Sequence, residues 1–368
     1  MSEACVSISL AITCGFKLSL QIYEKIRYFC KVKTKLIGKN SEQLAAIAAD
    51  CGLRPFVGRQ IAEWLYVKRV GSWDRMTNIS KDSKARLQES CELGTSGPAG
   101  SAVSSDGTVK YLFTVGEHNA VEAVMIPDED RKTLCVSSQA GCRMGCRFCM
   151  TGRQGWHGNL DAGDILNQFV SIPGSQELTN AVFMGMGEPL DNYEAVSQAI
   201  DILTSDKGFG WSPKRITLST IGVLPVLERF LDGQRCHLAV SLHNPFPDER
   251  LGMMPVQKAW PLEDIVALLR RYDFSGQRRV SFEYTMFSGW NDTKRHADAL
   301  VRLLSGLECR VNLIRFHKIP DFPYDCAPAV RMEEFRDRLT KHGVVCTIRA
   351  SRGEDILAAC GMLAGQRS

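Results

Sequence analysis

Three cysteines sit in one turn-rich stretch, Gly141-Cys142-Arg143-Met144-Gly145-Cys146-Arg147-Phe148-Cys149-Met150-Thr151-Gly152, with the spacing C-x3-C-x2-C. In a shuffled chain of this composition roughly 0.02 such matches are expected, so the cluster needs a chemical explanation. A zinc site needs a fourth ligand; the nearby candidate is His157, without the paired C-x2-C halves of structural zinc. Three thiolates suit instead a four-iron, four-sulfur cube in which one iron lacks a protein ligand. A small molecule with an amine and a carboxylate can occupy that iron, and the glycines around Cys146 let the backbone curl about the cube.

Other polar groups fall where such a centre would need them. Strand-like runs recur at Thr133 to Ser138, Ala181 to Met184, Arg215 to Ser219, His237 to Leu242, Arg279 to Thr285, Arg310 to Phe316 and Val344 to Arg349, with helical stretches between most of them. That alternation predicts an α/β fold with parallel strands and right-handed crossovers, a full or partial β/α barrel. In barrels reactive groups gather at the C-terminal ends of strands, where this sequence places Gly187-Glu188, Ser219, Ser241-Leu242-His243 and His317. A lone Ser or His at a strand end is ordinarily a satisfied turn residue; their agreement on one rim carries the argument.

Upstream, Ser41 is placed to cap a helix running to Asp50 and closed by Gly52; a second helix follows Pro55 and a third follows Ser80. Residues 94–107, rich in Gly and Ser, read as a linker or long turn, and Val109 to Val115 with Ala120 to Ile126 as a hairpin. The expected organisation is an extension over 1–36, a small basic helical domain over 37–93, the linker 94–107, the barrel over 108–350 and a C-terminal segment over 351–368.

The net charge of +4 says little, but its distribution says more. From Lys25 to Arg86 fourteen Lys or Arg face five acidic residues, a local net of +9, and the remainder carries −5. With Trp64, Tyr66 and Trp73 in the same stretch, a nucleic acid is favoured over a membrane as the polyanionic partner, against the plainer reading of a solvated basic face. The start lacks a basic n-region and Lys17 interrupts its apolar run, so neither a secretory leader nor a membrane span is expected. Scattered cysteines in a chain of this length fit a reducing cytoplasm.

The cysteine loop resembles that of the radical S-adenosylmethionine superfamily. The longer string is similar to the RlmN/Cfr family of RNA adenine methyltransferases through Leu134-Cys135-Val136-Ser137-Ser138-Gln139, Phe183-Met184-Gly185-Met186-Gly187-Glu188-Pro189-Leu190, Ile216-Thr217-Leu218-Ser219-Thr220, Leu238-Ala239-Val240-Ser241-Leu242-His243 and Asp355-Ile356-Leu357-Ala358-Ala359-Cys360-Gly361. The resemblance spans Ser41 to Gly365 and implies a partial (β/α)6-type radical SAM barrel preceded by the helical domain.

It also implies the chemistry. Carbons 2 and 8 of adenine are poor nucleophiles, so a radical route replaces simple displacement, the cofactor supplying the difficult step and the protein its placement. Cys142, Cys146 and Cys149 would hold one 4Fe–4S cluster, and two S-adenosylmethionines would be used per turnover. Gly187 and Glu188 would bind the amino group of S-adenosylmethionine, and Ser219, Ser241, Leu242, His243 and His317 its ribose and carboxylate. Cys360 would carry the methyl group as S-methylcysteine, Cys135 would release the product through a transient disulfide with Cys360, and Glu122 would be the proton acceptor. Without the resemblance Glu122 reads as an edge-strand surface residue and the two cysteines as inert.

The implied substrates are 23S rRNA near the peptidyl transferase centre and tRNA beside the anticodon, with a flavodoxin or ferredoxin system as electron donor and a monomeric enzyme. Lys68, Arg69, Arg75, Lys81, Lys84 and Arg86 are candidate phosphate contacts. Carbon 2, the housekeeping product, is preferred over the Cfr-type carbon 8 product that confers antibiotic resistance; a non-catalytic metal-containing RNA-binding protein is the rival of another class. The pattern departs from the family at His317, where Asn is usual, at Gly158, where Arg is frequent, and over the first ~35 residues.

Overall fold

The computed structural model describes residues 33–365, so most of the expected N-terminal extension, residues 1–32, lies outside the described residues. Helices α1 (Ser41–Asp50), α2 (Pro55–Ala62) and α3 (Lys81–Ser90) form the N-terminal unit, and its ends are tied by a parallel pair, β1 (Thr34–Lys35) with β2 (Cys91–Glu92). The cap of α1 is Asn40 and not Ser41: its side chain accepts from the Gln43 amide, and the Gln43 side chain accepts from the Asn40 amide. That reciprocal box satisfies two amides at once, which a serine one residue later does not. Ser80 caps α3 as expected, accepting from the Ser83 amide at 3.1 Å.

A ten-stranded sheet follows. It comprises β3 (Gly100–Val103), β4 (Val109–Val115), β5 (Asn119–Asp128), β6 (Arg131–Cys135), β9 (Asn180–Phe183), β10 (Ile216–Thr220), β11 (His237–Ser241), β12 (Val280–Met286), β13 (Arg310–Arg315) and β14 (Val345–Ile348), while β7 (Gln139–Gly141) and β8 (Trp156–Asn159) make a separate hairpin. Strands β6 and β9 to β14 run parallel in the order β14-β13-β12-β11-β10-β9-β6, and β5, β4 and β3 continue antiparallel from β6. The outer strands β14 and β3 do not pair, so of the full or partial barrel that the alternation of runs predicts, the structure has the partial one, which the family resemblance implies. Segment 94–107 is not a free linker: β3 pairs along β4, and Asn167 clasps the backbone of Ser96 at both ends.

Helices α4 (Met150–Arg153), α5 (Ala162–Val170), α6 (Tyr193–Thr204), α7 (Leu224–Gly233), α8 (Pro247–Met253), α9 (Leu262–Leu269), α10 (Lys294–Leu304) and α11 (Ala329–Lys341) fill the connections. One apolar core runs from Leu44, Ile61 and Tyr66 of the N-terminal unit into Ile165, Phe169, Leu203 and Leu238 of the barrel. The two are locked where Gly38, at φ +87°, meets Gly163: a Cβ on Gly38 would lie 2.4 Å from the Gly163 nitrogen, so no side chain fits there. A second apolar cluster, with Phe148, Met254, Phe287 and Phe316, backs the cysteine loop. Among the described residues no helix is long and apolar enough to cross a membrane.

Candidate active site

The cysteine loop leaves β7, passes through Cys142, Cys146 and Cys149, turns into α4 and returns as β8. Gly141, at φ +71°, permits the entry; a Cβ there would lie 2.0 Å from the Gly155 oxygen, and the Cys142 amide donates to that oxygen at 2.7 Å. Burial pushes the Cys142 thiol up to about 12, with Glu188 and Cys149 adding to the rise, and raises Cys146 further, with Cys149 and Cys142 adding to it. Thiols in such a setting ionise only against a cationic metal. Among the described residues no three His, Cys, Asp or Glu groups close around a single ion, which disfavours a mononuclear zinc site with His157. Neighbouring thiols in an apolar, glycine-built cradle fit a polynuclear iron–sulfur centre, where each thiolate meets its own iron.

All three cysteines open onto a cavity of about 270 Å³ at the C-terminal ends of the parallel strands, and Gly187, Glu188, Ser219, Ser241, His243 and His317 line it too. Glu188 is 3 % exposed and its three partners are neutral: Thr220 Oγ1 at 2.6 Å and the amides of Ile221 and Leu190 at 2.9 and 3.0 Å. Burial pushes its carboxyl up to about 7 despite those bonds. A buried carboxylate at a cavity wall with donors but no cation is complementary to a ligand ammonium.

His243 adopts a left-handed backbone, φ +56°. Its Nδ1 accepts from the Thr285 amide at 3.0 Å, which leaves the ring proton on Nε2 as a donor. Burial, then the Arg250 charge, lowers this imidazole to about 3, so it is neutral. Leu242 does not face the cavity: its side chain is fully buried, and its carbonyl accepts from Arg250 Nε. His317 lines the cavity with its ring nitrogens near Ser351 Oγ, at 3.1 Å, and Glu354, at 3.3 Å.

Cys135, at the end of β6, and Cys360, on the C-terminal segment, line the same cavity as free thiols. Burial pushes the Cys135 thiol up to about 12, against the Arg349 cation, whereas Cys360 is exposed at the cavity and the same cation favours its thiolate. Arg349 and Glu283 are missed by sequence reasoning. Glu283 Oε2 lies 3.5 Å from Arg349 Nη1, while its Oε1 accepts from Ser281 and Asn312. The available signal was a charged residue on an otherwise apolar barrel strand.

The C-terminal segment is pinned on two sides. Asp355 accepts from Ser104 Oγ at 2.5 Å and from the Ser105 amide at 3.0 Å, while Thr151 Oγ1 and the Met150 amide donate to the Leu363 and Gly361 carbonyls. Glu122, 4 % exposed, lies behind this segment and outside the cavity lining. Its Oε1 meets Lys110 Nζ at 3.0 Å, and its Oε2 accepts the amides of Ala364 and Gly365 at 2.8 and 3.2 Å.

Of the candidate phosphate contacts, Arg69 is turned inward: it stacks over Phe209 and Trp211 and donates to the Ser175 carbonyl, fastening the N-terminal unit to the barrel. An aromatic pair brought in by the loop after α6 outcompetes solvent for its planar cation. Lys68 lies over Trp64 and pairs with Glu63, Arg86 pairs with Asp82, and Arg75 and Lys81 are exposed.

Residues 136–300 match the Radical SAM superfamily model, and residues 34–93 match the Ribosomal RNA large subunit methyltransferase N-terminal domain. The chain is 55% identical over 336 residues, 91% of its length and 95% of the relative's, to a probable dual-specificity RNA methyltransferase RlmN of Porphyromonas gingivalis. It is 40% identical over 329 residues, 88% of its length and 94% of the relative's, to the dual-specificity RNA methyltransferase RlmN of Syntrophus aciditrophicus. The crystal structure of a radical SAM methyltransferase from Sphaerobacter thermophilus superposes with a TM-score of 0.87 at 37% identity, covering 90% of this chain and 100% of that one. With both halves matched in order and the cavity built from the same segments, the chain belongs to the RlmN family of RNA methyltransferases within the radical SAM superfamily.

Proposed function

We propose that the chain methylates carbon 2 of adenosine in 23S rRNA and in tRNA beside the anticodon, using two S-adenosylmethionines per turnover. The observation that carries this reading is the convergence of Cys135 and Cys360 with the three loop cysteines on one cavity. The family's cofactors are a 4Fe–4S cluster and S-adenosylmethionine, which together supply a 5'-deoxyadenosyl radical by one-electron cleavage.

Cys142, Cys146 and Cys149 would hold the cluster, Glu188 would orient the cofactor's amino group, and Ser219, Ser241 and the His243 Nε2 donor would offer it hydrogen bonds. Cys360 gives up its thiol proton and takes the methyl group. Glu122 takes the proton from the substituted ring carbon, which requires the amides of Ala364 and Gly365 to lift from its Oε2. For that step and the next to follow, the methyl carbon on Cys360 must first lose a hydrogen atom and bond to carbon 2 of the adenine, the adduct giving up one electron as Glu122 takes the ring proton. The Cys135 thiolate then attacks the Cys360 sulfur, breaking the carbon–sulfur bond, the released carbon takes a proton to become the methyl group, and the disulfide is left for an external dithiol to reduce. The electron comes from a flavodoxin or ferredoxin system, and the enzyme acts as a cytoplasmic monomer.

Nucleoside mass spectrometry of an rRNA fragment and a tRNA, treated with the anaerobically reconstituted enzyme, tests this. 2-Methyladenosine in both is the expected product; 8-methyladenosine, or none with an intact cluster, overturns it. The RlmN-type relatives support carbon 2 over carbon 8.

A further inference from the structure

We propose that the Arg250 guanidinium is the buried counter-charge of the iron–sulfur cluster and raises the potential at which the cluster accepts its electron. Arg250 lies on α8 with 0% exposure, and its named donors meet neutral acceptors: Nε the Leu242 carbonyl at 3.1 Å, Nη2 the Ser241 carbonyl at 3.0 Å and Nη1 the Gln257 Oε1. Burial lowers it to about 10, so it stays charged at neutral pH. A buried ion without an opposite charge is costly, and the carbonyls satisfy its hydrogens but not its charge.

Glu263, in the first turn of α9, supplies part of the compensating charge, and the rest lies across the α8 boundary. At the end of this helix the Met253 carbonyl accepts from the Arg147 amide at 3.0 Å, the residue directly after Cys146. Met253 and Met254 belong to the apolar cluster that seats Phe148 and packs on Cys146 and Cys149. Ser241, whose carbonyl Arg250 clasps, lines the same cavity as Cys142, Cys146 and Cys149, and Phe148 of the cysteine loop packs edge-on against His243, ring centroids 4.9 Å apart. A cube held by three thiolates is a net anion and becomes one unit more negative when it gains an electron. A fixed cation therefore attracts the reduced form more strongly, in a setting too apolar to screen it. The electron itself comes from a low-potential protein donor.

This inference rests on Cys142, Cys146 and Cys149 holding the cluster, which iron and sulfide analysis checks separately. The test is an EPR-monitored redox titration of reconstituted holoenzyme without S-adenosylmethionine. Arg250→Gln removes the charge, and Arg250→Lys keeps it while losing the three-carbonyl clamp. Gln257→Glu sets a carboxylate on Arg250 Nη1 and retains the acceptor for the Leu262 amide, 3.2 Å away. Arg250→Gln and Gln257→Glu should lower the midpoint, cutting the reduced-to-oxidised ratio at a fixed solution potential roughly tenfold, and Arg250→Lys should hold it near wild type. An unchanged midpoint in Gln257→Glu overturns the proposal, as does Arg250→Lys falling as far as Arg250→Gln. Where Arg250→Gln loads no cluster, Gln257→Glu alone decides.

Discussion

Glu188→Gln separates what the buried carboxylate costs the empty protein from what it contributes to binding. Glu188 is buried beside neutral donors, and its carboxyl is raised from 4.5 to about 7. A raised acid favours the protonated form of the folded state, so the wild type bears little penalty below the unfolded value. It bears an increasing one as pH climbs from about 4.5 to about 7, and the full one above. A shift of that size is worth about 3 kcal/mol, of which about 2–3 kcal/mol develops between pH 5 and pH 8. Glutamine cannot ionise. It can accept from Thr220 and Leu190, but its amide nitrogen then faces the Ile221 N–H, a cost of about 1–3 kcal/mol that does not vary with pH.

The difference in stability between variant and wild type should therefore move by about 2–3 kcal/mol in the variant's favour from pH 5 to pH 8, whatever its sign at either end. Urea unfolding of the cluster-free, reduced protein at the two pH values measures it. A pH-independent difference would refute the view that Glu188 is held without a cation. In the reconstituted enzyme the same variant should bind S-adenosylmethionine roughly tenfold to a hundredfold more weakly, read from the cluster's spectral response.

Cys360→Ala should keep the cluster and abolish methylation, whereas Cys135→Ala should trap RNA on the protein as a covalent adduct resolved by denaturing gel. Free methylated RNA at wild-type rates from the latter would remove Cys135 from the mechanism. Gly141→Ala puts a methyl 2.0 Å from the Gly155 oxygen at a left-handed position, so the loop must shift. Iron per chain after reconstitution should fall severalfold while the far-UV circular dichroism stays native. Asp355→Ala cuts both bonds to Ser104 and Ser105, and limited proteolysis should then cleave within residues 351–365 with the cluster still loaded.

What was legible in the sequence were features written locally. Apolar runs alternating with amphipathic stretches announce the crossovers, and the cysteine spacing, the Gly187-Glu188 turn and the polar strand ends fall on one rim because barrel topology puts them there. What stayed hidden depends on partners far along the chain. β3 is a Gly/Ser-rich stretch made a strand only by pairing with β4. Arg69 reads as a phosphate ligand until Phe209 and Trp211 arrive beneath it. Arg349 meets Glu283 across 66 residues, and Glu122 meets amides more than 240 residues away, so neither setting leaves a periodicity or motif behind.

The continuous core across the Gly38–Gly163 contact, with Arg69 clasped on its aromatic pair, has a consequence for target choice. Among the described residues the two cores meet there without a spacer, so a basic unit that held RNA phosphates would hold them at a set distance from the cavity. On that reading an RNA would offer the cavity only nucleotides at one offset, and two unlike RNAs would both qualify by presenting an adenosine at the same stride from a similar fold.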